Sequence, residues 1–169
     1  NACMKRIVAA PTAGSCGVLP AVLLPLVAER EPETEVILQS LYIAAGFGQV
    51  AAARASVSGA QGGCQAEIGV ASAMAAAALT HIMGGTGEQC AHAFAIALGN
   101  LLGLVCDPVA GLVEIPCVKR NVIGAVNAVS AANMALAGIT AHIPADEVID
   151  AMGEIGDALP SSLRETGQG

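Results

Sequence analysis

The sequence predicts an all-α fold, a compact domain of about six helices with a cysteine-bearing loop site. Apolar residues recur at helical spacing over long segments, and no stretch alternates as a half-buried strand would. Clusters of glycine and proline separate these segments. The 169 residues are enough for one domain with a sizeable core. We expect that domain to span residues 1–169 and to be a fragment of a longer protein.

The composition is unusually apolar for a soluble domain. Charged residues make up 12% of the chain and hydrophobic residues 54%, whereas about a quarter of a typical domain is charged. Charge-free runs at 7–28, 68–87 and 121–145 are long enough to cross a bilayer. They are rich in small residues or interrupted by proline and polar groups, and no tryptophan is present for an interfacial belt. We therefore expect no membrane span, and we expect the excess apolar surface to be buried in a homo-oligomer.

The net charge of −7 argues against a nucleic-acid partner, which would require a basic face. No signal peptide is recognisable, so we expect a cytoplasmic protein. In that reducing compartment, the six cysteines are expected to be thiols or metal ligands rather than disulfides.

Local signals divide the chain into helices. Ser15 is a possible N-cap for the first helix. Thr86 and Gln89 form a capping-box pattern, Gly138 is a stop signal, and Pro144 suits a helix start. Segments 56–63 and 106–117 are predicted to be loops and 160–169 a tail. The predicted helices cover residues 15–30, 34–54, 64–83, 86–103, 118–137 and a last segment from 144.

Three cysteines, Cys64, Cys106 and Cys117, lie beside glycine or proline at predicted loops or helix ends. Their separations, 42 and 11 positions, match no zinc finger or ribbon. If they converge, three soft thiolates suit an iron–sulfur cluster better than a hard cation, and three ligands on four irons leave one iron open. The alternative is that all three are small buried hydrophobes. Cys90, inside a predicted helix, is expected to be plain core.

The loop containing Thr12, Gly14 and Ser15 is the candidate anion-binding segment, since hydroxyls and backbone N–H groups at a helix N-terminus suit a carboxylate. An ordinary helix cap is the alternative for Ser15.

A short polar segment follows Cys117 in the sequence. Lys119, Arg120 and Asn121 are candidates to neutralise a cluster or to orient its sulfurs. The alternative is a solvated basic helix start.

The sequence does not identify a catalytic base. Asp107 and Glu114 carry carboxyls near the cysteines, although Asp before Pro commonly makes a turn. Gln65 and Glu67 lie within one helical turn of Cys64. The three histidines lie away from the cysteine motifs and are interpreted as structural.

Together, three separated motifs resemble the iron–sulfur-dependent L-serine dehydratases, in their alpha chain or C-terminal catalytic domain. The resemblance covers essentially the whole chain, and the RETG sequence at 164–167 adds to it. The motifs are APTAGSCGVLPAV at 10–22, GCQAEIG at 63–69, and LVCDPVAG with IPCVKRN between 104 and 121.

This resemblance implies a [4Fe-4S] cluster held by Cys64, Cys106 and Cys117, with the open iron binding the substrate hydroxyl. A Lewis-acidic iron stabilises the charge that develops as the C–O bond breaks. The implied reaction converts L-serine to pyruvate and ammonia. No pyridoxal phosphate is expected, because Lys5 and Lys119 are the only lysines and neither is an obvious attachment site.

The chain also departs from the family pattern. Ala13 stands where the family usually has Asn, which puts one substrate contact in doubt, and no cysteine follows Cys117 as a resting-state ligand. The family's beta-type domain is absent and is expected as a partner. The alternatives are a related cluster-dependent lyase, namely an L-cysteine desulfidase or L-threonine deaminase, and a non-catalytic helical interaction domain.

Overall fold

A computed structural model describes residues 6–106 and 114–167, without the side chains of 114–116. The all-α prediction is confirmed: in these residues the chain forms seven helices and no strand. A π-helical turn, Gln65–Gly69, leads directly into α4, and a 3₁₀ turn, Ser161–Leu163, follows α7. The helices are α1 Val18–Arg30, α2 Thr34–Arg54, α3 Gly59–Gly62, α4 Val70–Ile82, α5 Gly87–Gly99, α6 Glu114–Leu136 and α7 Ala145–Ala158.

Helix α4 is the centre of the domain. Every residue from 62 to 80 is buried, and the alanines at 75–78 have no exposed surface. α1, α2, α5 and α6 pack around it, because small side chains let helix backbones approach closely. At the contact between α4 and α6, Ser72 donates a hydrogen bond to the carbonyl of Gly124 at 2.7 Å. The segment that carries Cys64 is therefore continuous with the most deeply buried helix of the domain.

Several predicted helix ends are confirmed. Thr86 and Gln89 exchange both hydrogen bonds of a capping box at the start of α5. Gly84 and Gly138 have φ angles of 87° and 86° after α4 and α6, the left-handed conformation that glycine adopts without strain. Pro144 is the N-cap of α7.

Other predicted boundaries are wrong. The segment 106–117 is not wholly a loop, because α6 begins at Glu114 and so contains Cys117. Helix α5 ends at Gly99 rather than near 103, and residues 59–62 form a helical turn. Ser15 does not cap α1, because Gly17 is the N-cap and the Ser15 hydroxyl bonds within its own loop.

The predicted tail packs against the domain. Arg164 donates to the carbonyls of Leu159 and Asp157. The N–H of Cys106 bonds to the carbonyl of Leu163 at 2.9 Å, and the N–H of Glu165 bonds to the carbonyl of Gly59 at 3.1 Å. The sequence signal for a tail failed because the two backbone bonds, to Cys106 and Gly59, join groups far apart in the chain.

One helix in the described part of the chain, α2, is long and apolar enough to cross a membrane by length and composition alone. Within its apolar window, 22% of the residues are buried.

Candidate functional site

The three predicted cysteines meet at one end of the central helix. The sulfurs of Cys64 and Cys106 are 3.6 Å apart, and both residues are buried. Cys117, also buried, enters from the first turn of α6 and shares a side-chain hydrogen bond with the Cys64 thiol. Three thiols that are up to 53 positions apart in the sequence therefore lie together, and Cys64 contacts both of the others.

Backbone contacts explain how Cys64 and Cys106 come together. Gly63 has a φ of 73°, and a Cβ there would lie 3.2 Å from the carbonyl oxygen of Leu104. The N–H of Gln65 bonds to that same carbonyl at 2.9 Å. The buried Gln65 side chain also accepts from the N–H of Gly103 and donates to the carbonyl of Met152. Glycine at 63 and the Gln65 amide thus fix the 103–106 segment beside Cys64.

Arg120 brings a positive charge to the thiols. Its Nη1 donates to the sulfur of Cys64 at 3.1 Å and to the carbonyl of Val105 at 2.6 Å. Lys119, the adjacent residue, is exposed on α6.

The three thiols differ in acidity because of these contacts. Hydrogen bonds from Cys106 and Cys117, with a further one from Arg120, lower the pKa of Cys64 to about 3. The hydrogen bond to Cys64 and burial raise the pKa of Cys106 and of Cys117 above the ordinary thiol value. The first negative charge therefore resides on Cys64. The other two thiols stay protonated unless further positive charge is brought close to them.

The loop with Thr12, Gly14 and Ser15 lies at the same site. Its Ser15 hydroxyl is buried and lies 3.1 Å from that of Thr12. The Asn121 side chain, one helical turn after Cys117, bonds to the carbonyl of Gly14 and to the N–H of Gly17. The loop is therefore held next to the helix that carries a thiol.

Two carboxyls complete the site. Glu67 is 6% exposed. Its carboxyl lies against Gly14, because a Cβ on Gly14 would be 2.9 Å from Oε2 of Glu67. A Cβ on Gly59 would lie 2.6 Å from Oε2 of Glu165 and 3.1 Å from the Glu67 carboxyl carbon. Burial, and then the charges of Glu165 and Cys64, raise the pKa of Glu67 to about 6, while a hydrogen bond from Thr12 opposes the rise. Burial and the Cys64 charge raise the pKa of Glu165 as well.

The structure thus brings together most of the residues singled out in the sequence. The roles assigned to them stay predictions. Cys90 lies in the main core, apart from the thiol cluster, as expected. Asp107 lies outside the described residues, and so does the side chain of Glu114. Glu165 was missed, although the resemblance of 164–167 to the family was the signal that could have identified it.

The donor set suits a thiolate-ligated cluster in its chemistry. Three soft sulfurs converge and an arginine offsets their charge, as an anionic metal–thiolate centre requires. A separation of 3.6 Å between two sulfurs is contact distance, so a cluster would require the thiols to move apart. In the described ranges 6–106 and 114–167, no group of three or more His, Cys, Asp or Glu side chains is arranged to hold a single metal ion. A polar cavity of about 600 Å³, lined by residues such as Arg54 and Asp150, has none of the three cysteines in its wall.

Fold and site together define an all-helical domain with a buried centre of three thiols from separate parts of the chain. The family described as "Serine dehydratase alpha chain" matches residues 1–169. The chain belongs to this family.

Individual relatives agree with this assignment. Over its whole length the chain is 61% identical to the "Probable L-serine dehydratase, alpha chain" of Bacillus subtilis, 58% to the protein of that name in Latilactobacillus sakei, and 52% to the "L-serine dehydratase, alpha chain" of Peptoniphilus asaccharolyticus. It spans 56%, 81% and 58% of these three proteins, respectively.

Proposed function

We propose that this chain is the cluster-binding part of an L-serine dehydratase, which converts L-serine to pyruvate and ammonia. The convergence of Cys64, Cys106 and Cys117 carries the proposal, because three buried thiols, one of them bonded to an arginine, form a soft-metal donor set. Membership of the serine dehydratase family and the names of the relatives support serine as the substrate.

In this proposal the three cysteines hold a [4Fe-4S] cluster. When bound, the cluster supplies a Lewis-acidic iron that stabilises the negative charge developing on the substrate hydroxyl. No pyridoxal phosphate takes part. Arg120 offsets the thiolate charge and fixes the sulfur of Cys64, which is the role that residues around metal ligands usually perform.

The chain's own residues bind and orient the substrate. The Thr12–Ser15 loop lies beside Glu67 and the helix that carries Cys117, and its hydroxyl and backbone N–H groups are the proposed contacts for the substrate carboxylate. Glu67 is the buried carboxyl beside this loop, and at a pKa of about 6 it exchanges a proton near neutral pH. The buried surroundings exclude water and strengthen every charged contact made inside the site.

The proposed partner is a beta-type domain or subunit, since the three relatives are named as alpha chains. A homo-oligomer is proposed in addition, because α6 leaves Val122, Ile123 and Val126 more than half exposed. A cytoplasmic location is proposed because all five cysteines in the described residues are free thiols.

The proposal is tested by anaerobic reconstitution with iron and sulfide, followed by iron counting and visible absorption. We expect about four irons per chain and a brown protein. Cys106→Ser should lose the colour and the iron. Cys90→Ser, a core cysteine away from the site, should keep both. Equal iron content in the two variants would refute the cluster assignment.

Substrate assays on the complete enzyme, with this chain and its partner present, test the reaction. L-serine should give pyruvate and ammonia at a higher kcat/KM than L-threonine or L-cysteine. A preference for L-cysteine with release of sulfide would instead favour the desulfidase.

A further inference from the structure

The side chain of Asn121 uses both ends of its amide at the site. Its Oδ1 accepts a hydrogen bond from the N–H of Gly17 at 3.0 Å, and its Nδ2 donates to the carbonyl of Gly14 at 2.8 Å. Nδ2 also donates to the carbonyl of Cys117, one turn earlier in α6, at 2.7 Å. One amide therefore ties both ends of the Gly14–Gly17 turn to the helical turn that carries a thiol.

The loop is shaped for this contact. A Cβ on Gly17 would lie 3.0 Å from Oδ1 of Asn121, so glycine is what permits the approach. The hydroxyl of Ser15 bonds within the loop, to Ala10 and Thr12, and is fully buried. These bonds fix the shape of the loop but not its position on the domain. The position is set by contacts to other elements, and Asn121 supplies two of them.

Glu67 also lies against the loop, since a Cβ on Gly14 would lie 2.9 Å from its Oε2. It comes from the segment that begins with Cys64, whereas Asn121 comes from the helix that contains Cys117. The loop thus contacts both of the segments that carry these thiols. Displacing it by even about 1 Å would change the geometry in which a bound molecule meets the thiol centre.

We propose that Asn121 is a positioning residue that sets the distance between the substrate-binding loop and the metal-binding thiols. This inference rests on the proposed function and adds a role for an amide that touches neither the sulfurs nor, in our assignment, the substrate. Loss of the Asn121 side chain would leave the thiols in place but would misplace the loop that binds the substrate carboxylate, and with it the reacting C–O bond.

The test compares Asn121→Ala with Asn127→Ala in the complete, anaerobically reconstituted enzyme. Asn127 is a matched control, since it also lies on α6 and also bridges elements through its amide, to Ser72 and Ala97, but away from the loop. We expect Asn121→Ala to raise KM for L-serine and to lower kcat/KM by about 10- to 100-fold, with iron content and visible spectrum unchanged. Asn127→Ala should lower the Tm and keep KM within about twofold of the wild type.

Amide hydrogen exchange in the cluster-free chain gives a readout that does not depend on catalysis. Asn121→Ala should speed exchange at the N–H of Gly17, while Asn127→Ala should not. Asn121→Asp keeps the acceptor for Gly17 but loses both donated bonds. In Asn121→Asp, exchange at the N–H of Gly17 should therefore stay slow, while KM for L-serine should still rise. This variant replaces Asn121→Ala if the alanine protein fails to fold.

Two results would overturn the inference. One is an unchanged kcat/KM together with unchanged exchange at Gly17. The other is loss of iron from Asn121→Ala in step with activity, which would mean that Asn121 holds Cys117 rather than the loop. If wild-type enzyme binds no cluster, the proposed function fails instead, and the exchange experiment still decides whether Asn121 anchors the loop.

Discussion

The guanidinium of Arg120 donates to the sulfur of Cys64 at 3.1 Å. The same nitrogen reaches the carbonyl of Val105, the residue before Cys106, at 2.6 Å. Since Arg120 is itself three residues after Cys117, this one side chain connects the three segments that carry the thiols. Its positive charge also favours the thiolate over the thiol, which is the form that binds a metal.

Replacing Arg120 is expected to weaken metal retention. Arg120→Leu removes the charge and both hydrogen bonds, and loss of a residue that orients metal ligands typically lowers metal affinity about 10- to 100-fold. Arg120→Lys keeps the charge but not the planar fork, so we expect an intermediate loss. The measurement is iron released to a chelator over time under anaerobic conditions.

Arg54→Leu is the control for this experiment. Arg54 is an arginine of the exposed surface that pairs with Asp150, away from the thiols. Iron release as fast in Arg54→Leu as in Arg120→Leu would show that the effect is not local to the thiol site.

Glu67 gives the cluster-free chain a pH-dependent stability. Its pKa rises from an ordinary 4.5 to about 6 in the folded protein. The folded state therefore holds the proton more tightly, and this contribution to stability is fully present below pH 4.5 and is lost as pH rises through about 6. The shift corresponds to about 2 kcal/mol. Glu67→Gln keeps a neutral side chain at every pH, so it should be more stable than the wild type at pH 8 but not at pH 4.

Denaturant unfolding at several pH values between 4 and 8 measures this difference. Glu154→Gln, on the exposed surface of α7, is the control substitution. A stability difference between Glu67→Gln and wild type that stays constant across the range would contradict the assignment of the pH dependence to Glu67.

Glycines at two helix positions should respond in opposite directions. A Cβ on Gly124 would lie 3.1 Å from methyl groups of both Ile68 and Val18, so Gly124→Val overpacks the contact between helices and should cost about 1–3 kcal/mol. A Cβ on Gly46, in α2, meets nothing within 4 Å. Gly46→Ala should therefore stabilise by about 0.5–1 kcal/mol, because alanine loses less conformational freedom in a helix.

Free energies of unfolding from denaturant titrations distinguish these two substitutions. If Gly124→Val were more stable than the wild type, α4 and α6 would have to separate easily. That result would contradict the close approach observed at Ser72 and Gly124.

The sequence by itself determined the helical class and many of the helix ends. These features are local: the capping box at Thr86 and the glycine at 138 act through neighbours in the chain. The motif resemblance also singled out the three cysteines that the structure brings together, although spacing alone left a metal site and a plain core equally open.

Only the tertiary structure decided what meets at the site. The contacts of Cys64 with Cys106, of Asn121 with Gly17, and of the tail with Gly59 join residues between 42 and 106 positions apart. Local periodicity contains no information about such pairs, because they depend on how whole helices pack. The start of α6 at Glu114 was missed for a different, local reason. Pro116 lies in the first turn, where a helix tolerates proline, while the sequence pattern with two prolines and a glycine favoured a loop.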